Sequence, residues 1–338
     1  MKFRAAVLVE SHQPLQVLEI ELENRLSSGQ VLVKIDLAGL CGSQIGEIDA
    51  VKGVDKYLPH LLGHEGIGEV IEIGPDVTRV REGDVVVAHW MKGLGKSAEP
   101  PVYKNKIYGQ VNSGQVAIFS EFAVVSEDRL TKLERPIDKG IAAIMGCALL
   151  TAYGVVSNEL AISRKDNASL LVMGFGGIGE SIALLAQAIK SLDIYVVEPR
   201  RIAAEKATAL GFHVVSTSEL SGMIFDMAVD TSGSASSIEL AYHALSKNGI
   251  LSLVGVSPQG SKISIDPMPL HYGRSIRGSF GGSVDVDRDL PELINLVESI
   301  DGSLQSLIGE TFPLARINDA IKKFRDGVNP GRCLIDFA

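Results

Sequence analysis

The sequence is short of three things, and each shortage narrows its class. It holds 3 cysteines in 338 residues, an odd number set far apart. That is no basis for a disulfide framework, and it fits a reducing, cytoplasmic setting. No apolar run reaches the roughly 18 residues that a bilayer crossing needs, so no membrane partner is expected. The N-terminal MKFRAAVLVESHQ starts basic, but its apolar part breaks at Glu10 and reads as a first strand rather than a secretion signal. Positive charge is also scarce. With 32 Lys and Arg against 41 Asp and Glu, the net charge is −9, which repels phosphate backbones and leaves nucleic acid out of the expected partners. What remains, 46% hydrophobic and 22% charged, is the composition of an ordinary globular enzyme. A chain of this length usually needs more than one core.

Two patterns divide the chain. Up to about residue 148, β-branched runs such as AAVLV from Ala5, VLVKIDLAG from Val31, GEVIEIG from Gly68 and DVVVAH from Asp84 alternate with turns. Gly74-Pro75-Asp76 and Glu82-Gly83-Asp84 are two of those turns, and together they predict a β domain of barrel or sandwich type. Across 149–280, short apolar strands (SLLVMG, IYVVE, MAVD, ILSLVG) alternate with amphipathic helices, one of them closed by Gly211. That alternation predicts an α/β, doubly wound parallel sheet. Residues 281–338 read as helices followed by a final strand, packing back on the first domain, with acidic residues Asp285 to Asp289 capping a helix that starts near Leu290.

Between the strand SLLVMG and the helix after it stands GFGGIG, Gly174 to Gly179. A glycine turn alone is weak, but a strand before it and a helix after it are what a dinucleotide fingerprint requires. Gly174 allows the tight turn and Gly176 lets the backbone approach a pyrophosphate. Gly179 lets helix and strand pack, and Gly177 and Ile178 complete the run at a helix N-terminus that favours phosphate. Nineteen residues after Gly179, Glu198 stands where a carboxylate accepts hydrogen bonds from an adenosine ribose. This favours NAD over NADP, although Arg200 and Arg201 follow at once and are placed to hold a 2′-phosphate.

Cys41 in GLCGSQ, His64 in LLGHEGIGE and Cys147 in AAIMGCALLTAYG each have a bland explanation, as a small buried hydrophobe or a satisfied polar ring. Together they suit one catalytic zinc, which takes three protein ligands and leaves a fourth position open. Such a metal lowers the pKa of a bound alcohol or polarises a carbonyl.

The order GLCGS, GHEGIGEVIEIG, GD, GCALLTAYG, GFGGIG, SLVGV and a final GRCLI resembles the zinc-containing alcohol dehydrogenases of the medium-chain dehydrogenase/reductase family, over essentially the whole chain. The resemblance implies a GroES-like β-barrel catalytic domain followed by a Rossmann domain, and usually a homodimer or homotetramer. It also implies zinc ligands at Cys41, His64 and Cys147, with the Glu65 carboxylate close to the metal. Ser43 falls where the family places the hydroxyl that takes the substrate proton. Thr151 falls where it contacts the nicotinamide, and Val256 where backbone holds the carboxamide. Arg332 matches an arginine that reaches the pyrophosphate, and Trp90 an aromatic wall of the substrate pocket. His89, beside Trp90, is a further pocket candidate.

Three departures stand out. Residues 91–115 lack the four cysteines of a structural zinc, so one zinc per subunit is expected and that loop needs another means of order. Gln44 stands where an aspartate commonly backs the histidine ligand, and Gly46 where a histidine relays the proton. The expected activity is hydride transfer between an alcohol and NAD(P), on a small molecule that Lys104, Asn105 and Asn112 suggest is polyol- or sugar-like. A zinc-free enone or quinone reductase and a non-enzymatic nucleotide-binding protein are the competing readings.

Overall fold

A computed structural model of the chain describes residues 1–51, 53–300, 302–327 and 331–338. The described residues form two compact units. The first holds Met1–Cys147, Asp285–Pro291 and Ile308–Ala338; the second holds Ala148–Val284 and Glu292–Leu307.

The first unit is organised by strand Gln30–Gly39, which is buried on both faces. Because side chains alternate along a strand, Val31, Val33 and Ile35 enter one core with Val86, Phe119 and Ile335. Leu32 enters a second core with Phe3, Ile20 and Tyr103. A seven-stranded sheet runs Leu130–Lys132, Val85–Ala88, Gly66–Ile73, Gln30–Gly39, Arg332–Asp336, Ile308–Pro313, with Phe122–Ser126 also pairing Gln30–Gly39. The C-terminal strand Arg332–Asp336 is therefore an internal member, antiparallel to Gln30–Gly39 through Leu334 and Gly39. A five-stranded sheet joins His60–Leu61, Lys2–Leu8, Gln16–Glu21, Tyr103–Asn105 and Gly109–Val111.

The second unit carries a six-stranded sheet in the order His213–Val214, Asp193–Val197, Ser169–Met173, Phe225–Asp230, Leu245–Leu253, Ser275–Gly278. Every pairing in it is parallel. Numbered along the chain, that order is 3-2-1-4-5-6, the doubly wound dinucleotide-binding topology. Helix Gly177–Ile189 follows the first strand, and helix Arg201–Ala209 ends at Gly211 with φ +88°.

Two expectations are corrected. Helix Lys139–Arg164, of 26 residues, contains an 18-residue window of mean hydropathy 1.8 and is long and apolar enough to cross a membrane by composition. It is apolar on all sides because 89% of its most apolar window is buried inside the protein, as in a core helix. The helix expected near Leu290 starts at Val286 and contains Pro291. The Asp289 carboxylate accepts the Asp285 N–H at 2.8 Å and fastens the earlier start.

Candidate functional site

Strand Gln30–Gly39 delivers Cys41 to the N-cap of helix Gly42–Ile48, and Leu40 is tied to the terminal strand by its N–H donating to the Cys333 carbonyl at 2.9 Å. His64 follows Gly63, whose φ of +95° turns the chain just before the strand Gly66–Ile73. Cys147 lies in a π-type turn, Met145–Leu149, within the long helical run; such turns often mark functional positions. These three elements bring one ligand atom each from Cys41, His64 and Cys147 to within 4.8 Å of one another. No other such group of His, Cys, Asp or Glu occurs among the described residues.

The electrostatics suit a cation. The hydrogen bond from Cys147 holds the Cys41 thiol well below its ordinary pKa, against the opposing effect of burial, and Arg332 and His64 add to it. The same hydrogen bond, with burial, pushes Cys147 well above its ordinary value. Burial disfavours charge on His64, but Cys41, Glu65 and Glu47 outweigh it and raise its pKa. The His64 Nε2 atom is buried with no hydrogen-bond partner among the described residues. Two soft sulfurs and one imidazole nitrogen with an uncommitted lone-pair position form a donor set that fits zinc.

Around this centre, Glu65 is fully buried, with Arg332 Nε 3.4 Å from its Oε1. Gly39 makes room for it, since a Cβ there would lie 2.6 Å from Glu65 Oε1. Arg332, matched above to a pyrophosphate contact, is buried beside the metal candidates and donates from Nη1 to the Leu40 carbonyl at 3.3 Å. Burial opposes its charge, but Glu65 and the two thiols raise its pKa above the ordinary value. Ser43 is exposed on helix Gly42–Ile48. Trp90 is half-buried, its carbonyl accepting from Arg129. His89 is 1% exposed, with Nδ1 2.7 Å from the Met91 carbonyl and Nε2 3.1 Å from Thr131 Oγ1. Both ring nitrogens are thus used inside the fold, which leaves none for a substrate. Lys104 pairs with Glu23, and Asn105 bonds the Glu19 carbonyl and caps the turn at Ile107 and Tyr108, so these two build the hairpin rather than a pocket. Asn112 donates to the Tyr57 carbonyl at 2.7 Å.

In the second unit the glycine run turns as its spacing predicts. Gly174 has φ +92°, and a Cβ on Gly179 would lie 2.0 Å from the Gly174 carbonyl oxygen, so helix and strand approach too closely for any side chain. Gly176 is the N-cap of the helix that Gly177, Ile178 and Gly179 begin. Glu198 accepts the Phe175 N–H at 2.7 Å and is gripped by Arg200 through Nε and Nη2, both at 2.9 Å. Burial opposes its charge, but Arg200 and the backbone donors hold its pKa below the ordinary value. Arg201 is exposed and pairs with Glu205. Thr151 is nearly buried, and the Thr151 carbonyl packs on Gly282, where a Cβ would be 2.4 Å away. Val256 is 88% exposed.

Two residues of this unit escaped the sequence reading. Asp230, fully buried at the end of its strand, accepts the Gly233 N–H at 2.8 Å and the Ser232 and Ser237 hydroxyls at 2.7 Å. Thr231 donates to the Met173 and Gly174 carbonyls and fixes the glycine turn. The signal for Asp230 was present: a carboxylate ending the apolar run MAVD is rarely buried without partners.

An alcohol dehydrogenase GroES-like domain matches residues 27–135, and a zinc-binding dehydrogenase domain matches residues 177–299. The chain is 28% identical to an S-(hydroxymethyl)glutathione dehydrogenase of Synechocystis, over 97% of this chain and 98% of that one. It is 25% identical to an NDMA-dependent alcohol dehydrogenase of Amycolatopsis methanolica, over 97% of each. In fold it is similar to the benzyl alcohol dehydrogenase of Acinetobacter calcoaceticus, with TM-score 0.87 and 23% identity over the whole of both chains. It is also similar to an alcohol dehydrogenase zinc-binding domain protein of Burkholderia ambifaria, with TM-score 0.88 and 22% identity over 99% of both. These matches converge with the Cys-His-Cys centre of the β unit and the glycine turn of the 3-2-1-4-5-6 sheet: the chain belongs to the zinc-type alcohol dehydrogenases of the medium-chain dehydrogenase/reductase family, NAD(P)-dependent oxidoreductases.

Proposed function

We propose that this chain transfers hydride between a polyol- or sugar-like alcohol and NAD, with one zinc per subunit held by Cys41, His64 and Cys147. The observation that carries it is the convergence of those three ligand atoms within 4.8 Å. A zinc ion there supplies a Lewis acid for an alcohol oxygen, and the nicotinamide supplies the hydride acceptor. Ser43, exposed on the helix that Cys41 caps, takes the alcohol proton. The free N–H groups that open helix Gly177–Ile189 bind the pyrophosphate, and Thr151 and the Val256 backbone orient the nicotinamide. Arg332 and Glu65 hold a fixed charge pair beside the thiols.

The preference for NAD is supported by Glu198, whose carboxylate suits ribose hydroxyls, and by Arg200, which is committed to that carboxylate rather than free for a 2′-phosphate. The substrate class is supported by a cavity of about 790 Å³ beside Gln44 and His64, lined by Glu47, Asp55, Lys56, Tyr57, His60 and Ser113. The lining mixes these groups with the apolar Val54, Leu61, Leu62, Pro100 and Val116, so it offers a ligand hydrogen-bond partners set among apolar walls. The proposed use of Cys41 and Cys147 as thiolate ligands supports a reducing compartment such as the cytoplasm as the setting. A homodimer or homotetramer is supported by strand Ser275–Gly278, which pairs on one side only among the described residues.

A panel of simple alcohols, polyols and sugar derivatives, scored by NADH appearance with NADP in parallel, tests the reading, and metal analysis accompanies it. Turnover of polyols with NAD and one zinc per chain is expected. Turnover of enones by a metal-free protein overturns it, as does a protein that neither turns over nor gains thermal stability with NAD.

A further inference from the structure

Glu159 closes the π-type turn Val155–Glu159, near the C-terminal end of the helical run Lys139–Arg164. The helix dipole disfavours negative charge at that end, and the side chain is buried, so its partners must account for it. Three serine hydroxyls converge on the carboxylate. Ser252 donates to Oε2 at 2.5 Å, and Ser279 and Ser283 donate to Oε1 at 2.8 and 3.0 Å. They come from three places: strand Leu245–Leu253, the residue just past strand Ser275–Gly278, and the turn Gly281–Ser283.

That turn is where the backbone is strained. Gly281, Gly282 and Ser283 take φ of +57°, +73° and +55° in succession. Glycine adopts such angles freely, but a serine does not. A residue so placed persists only where its surroundings over-determine it, and such residues cluster at functional sites. Here Glu159 holds the Ser283 hydroxyl, Ser279 Oγ accepts the Gly282 N–H at 3.0 Å, and the Asn158 amide donates to the Ser283 carbonyl at 3.3 Å. The turn is pressed against the helix that carries Thr151. A Cβ on Gly282 would lie 2.4 Å from the Thr151 carbonyl oxygen, and one on Gly154 would lie 2.4 Å from the Gly282 oxygen.

We propose that Glu159 is a positioning residue for the nicotinamide half of the cofactor. It fastens the turn Gly281–Ser283 against Thr151, and it ties down Ser252 in the strand that leads to Val256. The two groups proposed to orient the nicotinamide are thereby held in one geometry, which lowers the ordering cost of binding the ring. This rests on the reading of Thr151 and Val256 as nicotinamide contacts. The pyrophosphate is assigned to the N-terminus of helix Gly177–Ile189, and no side-chain hydrogen bond of Glu159 reaches that helix. Loss of Glu159 therefore weakens one end of the cofactor and spares the other.

Calorimetric titration of the full-length protein with NADH and with ADP-ribose, which lacks the nicotinamide, separates the two ends. The variants are Glu159→Ala, Ser283→Ala and the double variant Glu159→Ala/Ser283→Gly. Releasing one left-handed serine is expected to weaken NADH by about tenfold in Glu159→Ala and, in the same direction, in Ser283→Ala, with ADP-ribose affinity unchanged in both. In the double variant glycine takes the left-handed angle unaided, so part of the NADH affinity should return. Equal weakening of both ligands overturns the proposal, because Glu159 would then only stabilise the unit as a whole. Unchanged NADH affinity overturns it as well, as does a double variant no better than Glu159→Ala. Ser283→Ala removes a single hydroxyl and keeps the test open if Glu159→Ala does not fold. A wild type that binds ADP-ribose as tightly as NADH removes the nicotinamide reading of Thr151 and Val256 itself, a result distinct from these.

Discussion

At the scale of single residues, the metal centre was legible because its chemistry is carried by side-chain type. Two thiols and an imidazole in one chain poor in cysteine are few enough to be matched to one ion. His89 was not legible in this way, since its partners are a backbone carbonyl and the Thr131 hydroxyl, and neither is visible in a sequence. Its ring is neutral inside the protein: Nδ1–H donates to Met91, and Nε2 accepts from Thr131. Burial pushes its pKa down from 6.5 to about 4. Between those values the unfolded chain binds a proton that the folded chain does not. The stability contributed by neutral His89 is therefore complete above about pH 6.5 and is lost as the pH falls towards 4, by up to about 3 kcal/mol. Urea unfolding at pH 7 and pH 5 should show that loss in the wild type, and His89→Gln should flatten it. Profiles of equal slope would place the acid sensitivity elsewhere.

At the scale of elements, the segment without structural-zinc cysteines is held by carboxylates acting on backbone. Glu127, 1% exposed, accepts the N–H groups of Thr78 and Arg79 on Oε1 and of Lys96 on Oε2, each at 2.6 Å. Asp287 accepts the Leu94 N–H at 2.7 Å and pairs with Arg79. The Asp128 carbonyl accepts from Gly93, and Ser126 Oγ accepts from Ala98. The sequence showed that 91–115 needed some means of order but not which, because the carboxylates lie far along the chain and no local period marks them. Glu127→Gln leaves one oxygen where two were used and points an NH₂ at an N–H. It should destabilise the protein by roughly 1–3 kcal/mol in denaturant unfolding while zinc content stays unchanged. Loss of zinc in that variant would show that the loop and the metal centre are coupled.

At the scale of the whole molecule, the change from β runs to alternating strands and helices foretold two kinds of architecture, and both are present. The strand order within the parallel sheet was not legible, because order depends on which crossovers pack, not on any one strand's composition. That order leaves Ser275–Gly278 at an edge, near exposed Met268, Leu270 and Tyr272. An open edge beside apolar side chains invites pairing with another strand, and a second copy is the proposed partner. Changing Met268 and Tyr272 together to Glu should lower the mass measured by light scattering to that of one chain and leave the far-ultraviolet circular dichroism intact. An unchanged mass would exclude this edge as the interface. The carboxylates that grip the Leu94 and Lys96 amide hydrogens read no side chains, so those two positions can drift in sequence, and can be redesigned, wherever a Cβ fits. Selection should bear mainly on Gly93 and Gly95, where an added Cβ would come within 3.0 Å of Asp287 Oδ2 and 2.7 Å of the Asp128 nitrogen. A loop fastened in this way is also indifferent to oxidants and to metal starvation, the two conditions that would undo one built on thiols.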